Sequence, residues 1–501
     1  MRRLLSVVVV LGVLFAAGCG GGDDSSSALD SALAYLPKDT PLAIVLETDV
    51  GGDQYMKLGA VIDKFPFGDQ ITANLLQQLE RSSGGIDFDE DVKPVLGNPV
   101  VIGAPSADAI TADPNMFVLA AKVKDKGALD ELIDKLNPRK VGEASGATLY
   151  EDGGTFVAVE DDMVVYANDE SRLKSALERA DADDHFDEDR FEDALDGLPG
   201  NALARIYTDV EALLKNDPAT TDARRVKWIG ALRTLGISAR ARDDAIVVDF
   251  RARTEGDLSD EDLPIAPGDE APPIIERSGE IGLGVRDPAH IVRFGEAAGQ
   301  AIDPAGFGDY AQAKRTIDKQ LGVSLDDDLI GQLTRNVSAG IAIDGGFRVR
   351  AKLNDPRAFE RTLAKVADVL PSFAEGAGFG TVRLSKPRGG ADFYALSQPD
   401  GDSVVFGVAD DVLVVASDAR RASAVASEEP AAVPGASGAV VAGADAERLV
   451  NTLLRDFGSA FGVPDLGAFG TGLLTRPFGD LNGSVSATTG EVRGKLTLTI
   501  D

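Results

Sequence analysis

Apolar residues recur along this chain at two spacings. Leu129, Leu132, Ile133 and Leu136 fall at i, i+3, i+4 and i+7, one stripe of a helix, and Phe359, Leu363 and Val366 repeat the stripe downstream. Leu496, Leu498 and Ile500 alternate instead with Thr497 and Thr499, the period-two pattern of a strand with one wet face. Short apolar runs such as LAIVL at residues 42–46 read as strands, and Leu36-Pro37 as a turn ahead of them. Asp125 and Asp355 each close a strand where a helix N-cap belongs, and Pro356 then takes the first helical position, where a missing N–H costs nothing. Asn168 and Ser417 stand at the expected cap of a later helix. Strands joined by short turns and interleaved with helices predict an α+β fold, a largely antiparallel sheet with helices packed on one face.

The order of these elements recurs. AKVKDKGALDELIDKL from Ala121 aligns with AKLNDPRAFERTLAKV from Ala351, and VAVEDDMVVYANDESRLKSA from Val157 aligns with FGVADDVLVVASDARRASAV from Phe406. ALARIYTDVEALLK from Ala202 parallels AVVAGADAERLVNTLL from Ala439, and GISARARDDAIVVDFRART from Gly236 parallels GSVSATTGEVRGKLTLTID from Gly483. Four matches in one order, displaced by roughly 230 to 250 residues, predict two tandem homologous domains at residues 29–254 and 275–501. Residues 255–274, rich in Pro and acid without periodicity, read as the linker. Each copy is expected to hold seven or eight short strands and four or five helices. Asp161-Asp162 and Asp410-Asp411 sit between paired apolar strands in both copies, so they read as hairpin turns rather than as an acid pair for catalysis.

The N-terminus has a separate pattern. Arg2 and Arg3 precede an apolar run at residues 4–17, then Ala16-Ala17-Gly18 stand directly before Cys19, the only cysteine. The run is too short to span about 30 Å of hydrocarbon as a permanent helix, and its three-part design is that of an export signal. It resembles a bacterial lipoprotein signal, although Ala16 stands where the lipobox usually carries Leu. That resemblance implies a signal peptide at residues 1–18, lipid on Cys19 (palmitate among its acyl groups) and an extracytoplasmic, membrane-anchored protein. Residues 19–28, with GGGDDSSS, read as a flexible tether. One cysteine leaves no disulfide framework.

Charge and residue counts narrow the chemistry. The formal net charge of −32 argues against nucleic-acid binding, which needs clustered Lys and Arg. Asp87, Asp89 and Asp91 have the spacing that opens a calcium loop, but Val92 and Asn98 stand where Gly and the bidentate Glu belong, and LDDDL around Asp326 does not keep the alternation. The acid-rich stretch at residues 181–193 reads as a solvated loop feeding a helix. His185 and His290, the two histidines, are not at metal-ligand spacing and read as surface residues. GAGFGT at residues 376–381 lacks the third glycine of a dinucleotide loop. One tryptophan, Trp228, and seven tyrosines are few for a sugar site.

YLPKDTPLAIVLETD after a lipoprotein leader, the strand, Asp-cap and amphipathic-helix unit, and the Asp-Asp hairpin followed by a helix together resemble a bacterial envelope lipoprotein family known only as a domain of unknown function, the DUF 3352 type. The resemblance implies no catalytic residues. The residues predict no metal, no cofactor and no enzyme, and favour a membrane-anchored module that binds an envelope protein or an apolar ligand. The alternatives are a carboxylate-dependent hydrolase of envelope polymers and a lipid carrier.

Overall fold

A computed structural model gives the fold and describes residues 25–501 apart from 67, 69, 71–72, 74–76, 78–80, 82–84, 112–115, 183, 276–278, 344, 373–380, 386–392, 399–402, 458–471 and 473–474. The expected signal at 1–18, Cys19 and the tether as far as residue 24 lie outside the described residues, as does most of GAGFGT.

The chain divides into two compact units. One runs to Pro218 and takes in Leu232–Arg253 and Thr499–Asp501; the other comprises Ala219–Ala231 and Thr254–Leu498. The first is built on β1 (Leu42–Leu46), β2 (Val100–Ala104), β3 (Val118–Lys122), β4 (Arg139–Ala144), β5 (Ala147–Asp152), β6 (Thr155–Glu160), β7 (Met163–Ala167), β8 (Ala204–Asp209), β9 (Leu232–Arg242) and β10 (Ala245–Thr254). They pair in the order β4-β5-β6-β7-β3-β2-β1-β8-β9-β10.

The second unit is built on β11 (Glu280–Val285), β12 (Val337–Ala342), β13 (Phe347–Lys352), β14 (Arg383–Ser385), β15 (Tyr394–Ser397), β16 (Ser403–Ala409), β17 (Val412–Ala416), β18 (Val440–Asp445), β19 (Phe478–Thr488) and β20 (Glu491–Ile500). Their order is β14-β15-β16-β17-β13-β12-β11-β18-β19-β20, the first order again. The fold class is α+β. Among the described residues each set has ten strands rather than seven or eight. The extra ones escape a pattern search because β4 (RKVGEA) and β14 (RLS) are edge strands without apolar alternation, and their charges suit an edge exposed to water.

Helices cover both faces of the first sheet, which corrects the one-face expectation. α1 (Ser25–Leu33), α4 (Glu170–Ala180) and α5 (Glu188–Leu195) bury Leu29, Leu33, Leu173, Leu177 and Phe191 against Val101, Val118, Ala120, Ala158 and Val165. Gly103 admits α1's flank, since a Cβ there would lie 2.3 Å from a Leu36 methyl. The alternate strand residues face the other way. Val157 and Leu203 join Tyr55 of α2 (Asp53–Ile62) and Leu129, Leu132 and Leu136 of α3 (Lys126–Leu136). The sequence shows one amphipathic helix at a time and cannot say which face each selects. In the second unit α8 (Pro356–Ala367) and α9 (Ala419–Ala426) likewise join separate clusters, divided by the neighbours Val405 and Phe406.

Asp125 caps α3 by accepting from Ala128 N–H at 3.1 Å, and Asp355 caps α8 by accepting from Ala358 N–H at 3.0 Å. The caps of α4 and α9 are Asp169 and Asp418, not Asn168 and Ser417. Asp169 accepts from the N–H groups of Ser171 and Arg172, and Asp418 from that of Arg421. A carboxylate reaches the free N–H groups one residue later, while Asn168 accepts from the Tyr166 hydroxyl and Ser417 from Phe347 N–H. Residues 255–274, expected as linker, run as an ordered strap with Leu263, Ala266 and Ile274 buried and Ile274 bridged to Ala431.

Candidate functional site

α3 follows β3 directly and lies over the face of the sheet made by alternate residues of β2, β3, β5, β6 and β7. The gap is closed at one end by a five-residue helical turn at Phe88–Val92, whose first N–H groups are satisfied locally: Asp87 accepts from Glu90 N–H, and buried Asp91 accepts from Asp87 N–H at 2.9 Å. Packing is incomplete here. A cavity of about 70 Å³ remains, walled by Val95, Leu96, Leu119, Leu129, Leu132, Ile133, Val157 and Val164. Leu129, Leu132 and Val157 are all buried.

Two of the polar residues at its margin, Thr48 and Lys122, are already engaged. Thr48 donates its hydroxyl to Asn98 O at 2.6 Å and accepts from Gly97 N–H at 3.1 Å. Lys122 contributes its stem, and its ammonium lies 3.6 Å from Asp162. An apolar space of this kind stays dry and favours hydrocarbon over water.

The equivalent positions of the second unit are filled differently. Along the two aligned stretches, Leu129 corresponds to Phe359 and Val157 to Phe406, both buried, while Leu132 corresponds to Thr362 and Leu136 to Val366. Phe406 also stacks on Tyr394 of β15, with ring centroids 5.5 Å apart and planes 15° apart. The two rings add more carbon than Thr362 and Val366 remove.

The acidic stretches are dispersed by their local bonds. Asp161 and Asp410 take left-handed backbone, φ 48° and 53°, at the tips of β6–β7 and β16–β17. Such a turn suits Asp, whose short side chain tolerates that region. Their neighbours Asp162 and Asp411 lie 3.6 and 3.4 Å from Lys122 and Lys352, the same pair in both copies. LDDDL forms a second helical turn like that at Phe88–Val92. Asp328 accepts from Ser324 N–H at 2.8 Å as Asp91 does from Asp87, so a fifth repeat lies where the acidic spacing alone suggested none. Asp326 meets Lys314, and Asp187 caps α5. Among the described residues no group of three or more His, Cys, Asp or Glu is placed to hold a metal ion. His185 Nδ1 lies 3.2 Å from Phe186 O and His290 Nε2 lies 2.9 Å from Leu263 O, and both are half-buried.

One charged group was missed altogether. Arg348 of β13 is 1% exposed, with Nε 2.7 Å from Glu280 and Nη1 on Glu428, and its Nη2 has no partner among the described residues. Its counterpart in the first unit is Val118, also buried. FRVRAK reads as a strand with a wet face, and nothing local reveals that carboxylates 68 and 80 residues away converge on it.

The model of a family described as "Protein of unknown function (DUF3352)" matches residues 3–258, just over half of the chain and ending just beyond β10. The chain belongs to this family. The DUF3352 match therefore spans the strands that carry the cavity. No curated protein matches the chain. Among solved structures, the one titled "Structure of crystal form III of TP0453" is 11% identical with TM-score 0.26, covering 46% of this chain and 81% of that one. "Structure of crystal form I of TP0453" is 14% identical with the same score, covering 46% and 80%. No described helix is long and apolar enough to cross a membrane.

Proposed function

We propose that this DUF3352 protein is a non-catalytic bacterial envelope lipoprotein, anchored through lipid on Cys19 outside the cytoplasmic membrane, that binds an apolar ligand in its first unit. The cavity under α3 carries this reading. Its walls are mostly aliphatic, Thr48 and Lys122 at its margin are engaged, and it lies in a domain whose leader ends at the sole cysteine. Two acyl chains on that residue hold a protein to a bilayer stably, whereas one gives marginal binding. The shared strand order supports descent of both units from one duplicated module, with the expected boundaries near 29–254 and 275–501.

Two measurements test the reading. Labelled palmitate is expected in the parent protein and absent from Cys19→Ser. Mass spectrometry of an organic extract of purified Cys19→Ser protein is expected to show a co-purifying hydrocarbon-chain lipid. An extract free of lipid would overturn the binding function, and label retained in Cys19→Ser would overturn the anchor.

A further inference from the structure

We infer that the two units have diverged at one shared pocket: Val157 and Leu129 leave the first open to the end of a single unbranched hydrocarbon chain, and Phe406 and Phe359 close the second. This rests on the proposed apolar-ligand function and assigns it to particular residues. Both pairs occupy matching places in the fold. Val157 pairs with Tyr150 across β5–β6 as Phe406 pairs with Tyr394 across β15–β16, and Leu129 and Phe359 stand at the same turn of α3 and α8.

Shape selects the ligand class. A space of about 70 Å³ is small beside the ~150 Å³ cavity that holds a benzene ring, so it admits a few chain carbons rather than a ring system. Chemistry agrees with shape, because the walls are mostly aliphatic, Thr48 has already spent its hydroxyl and the ammonium of Lys122 faces Asp162.

Two sources could supply such a chain, the acyl groups on Cys19 or a separate lipid. The fold favours a separate molecule. α1, the first described element after Cys19, packs through Leu29 and Leu33 on the Val101 and Ala120 face of the sheet, whereas the cavity opens on the Val100, Leu119 and Ala121 face.

The test titrates dodecanoate and, separately, xenon into the full chain carrying Cys19→Ser, read by methyl NMR. Shifts are expected at Leu129, Leu132, Ile133 and Val164. Adding Val157→Phe should weaken dodecanoate at least tenfold and abolish the xenon shifts, with the remaining methyl dispersion showing a folded protein. Should that variant unfold, Leu132→Phe fills the same space from the helix side with the same expected loss. Conversely, Phe359→Leu with Phe406→Val should create a second xenon site, seen at Leu363 and Leu413. Dodecanoate binding within twofold of the parent in the folded Val157→Phe chain would overturn the assignment, and so would xenon shifts at Leu363 and Leu413 before Phe406 is changed. Loss of all dodecanoate binding in Cys19→Ser would overturn the separate-lipid source. The broader reading fails separately: probes that bind a protein yielding no native lipid leave the pocket standing without the carrier function. Native lipid persisting in Val157→Phe leaves the function standing without this pocket.

Discussion

The two units share a strand order, a capped helix after the third strand and an Asp-Asp hairpin held to a lysine, yet they spend their interiors differently. The first leaves space beneath α3 and keeps Val118 in the opposite layer. The second places the buried rings of Phe359 and Phe406 at the matching positions and buries Arg348 between Glu280 and Glu428. What the copies retain are the devices that set backbone geometry, namely caps, turns and register. What they vary is side-chain volume and charge inside that frame, which is where a duplicated fold can acquire a distinct use.

The largest expected effect tests the packing contrast. Phe406→Ala should cost about 3–5 kcal/mol in urea unfolding, because a full ring leaves a filled layer. Val157→Ala should cost well below that, since some of the contacts of Val157 are already missing. Equal costs would erase the contrast. Arg348→Met comes next, with a loss of about 3–5 kcal/mol from stranding two carboxylates beside an apolar side chain. Adding Glu280→Gln and Glu428→Gln should recover most of it, and failure to recover would show that Arg348 acts through its volume rather than its charge.

Smaller effects test the shared frame. Asp418→Ala should cost about 1 kcal/mol and Asp169→Ala should also destabilise, each more than its neighbour's substitution, Ser417→Ala or Asn168→Ala. Hydrogen bonds hold both aspartates below the ordinary carboxylate range: the Ser171 hydroxyl leads for Asp169, and the Arg421 backbone N–H for Asp418. A depressed carboxylate stabilises the fold above its unfolded pKa and loses that contribution as pH falls through the folded value. The penalties of the two Ala variants should therefore be full at neutral pH and shrink on acidification through the aspartate range, which chemical denaturation at a series of pH values would show. Val157→Phe should likewise shift stability by no more than about 1 kcal/mol, because the ring enters existing space instead of a close-packed layer.

Much of the frame was legible in the sequence. The α3 stripe, the Asp125 and Asp355 caps and the doubled hairpins follow from periodicity and turn chemistry, which act over a few residues. Even the divergence was written in the aligned letters, Leu129 against Phe359 and Val157 against Phe406. Its meaning was not, because an empty volume depends on how far a helix stands from a sheet. The cap shift from Asn168 to Asp169 turned on which side chain reaches the first free N–H groups, Asn168 being taken by the Tyr166 hydroxyl. The Arg348 cluster depended on contacts 68 and 80 residues away. Helix placement on both faces escaped for the same reason: amphipathicity marks a buried stripe without naming its partner.

Native mass spectrometry of the intact chain carrying Cys19→Ser tests the central claim most directly, comparing it with the same chain carrying Val157→Phe and with the same chain carrying Phe406→Leu. The account predicts one hydrocarbon-chain adduct on the parent, the same adduct on Phe406→Leu, and none on Val157→Phe. An adduct of equal abundance on all three would contradict it.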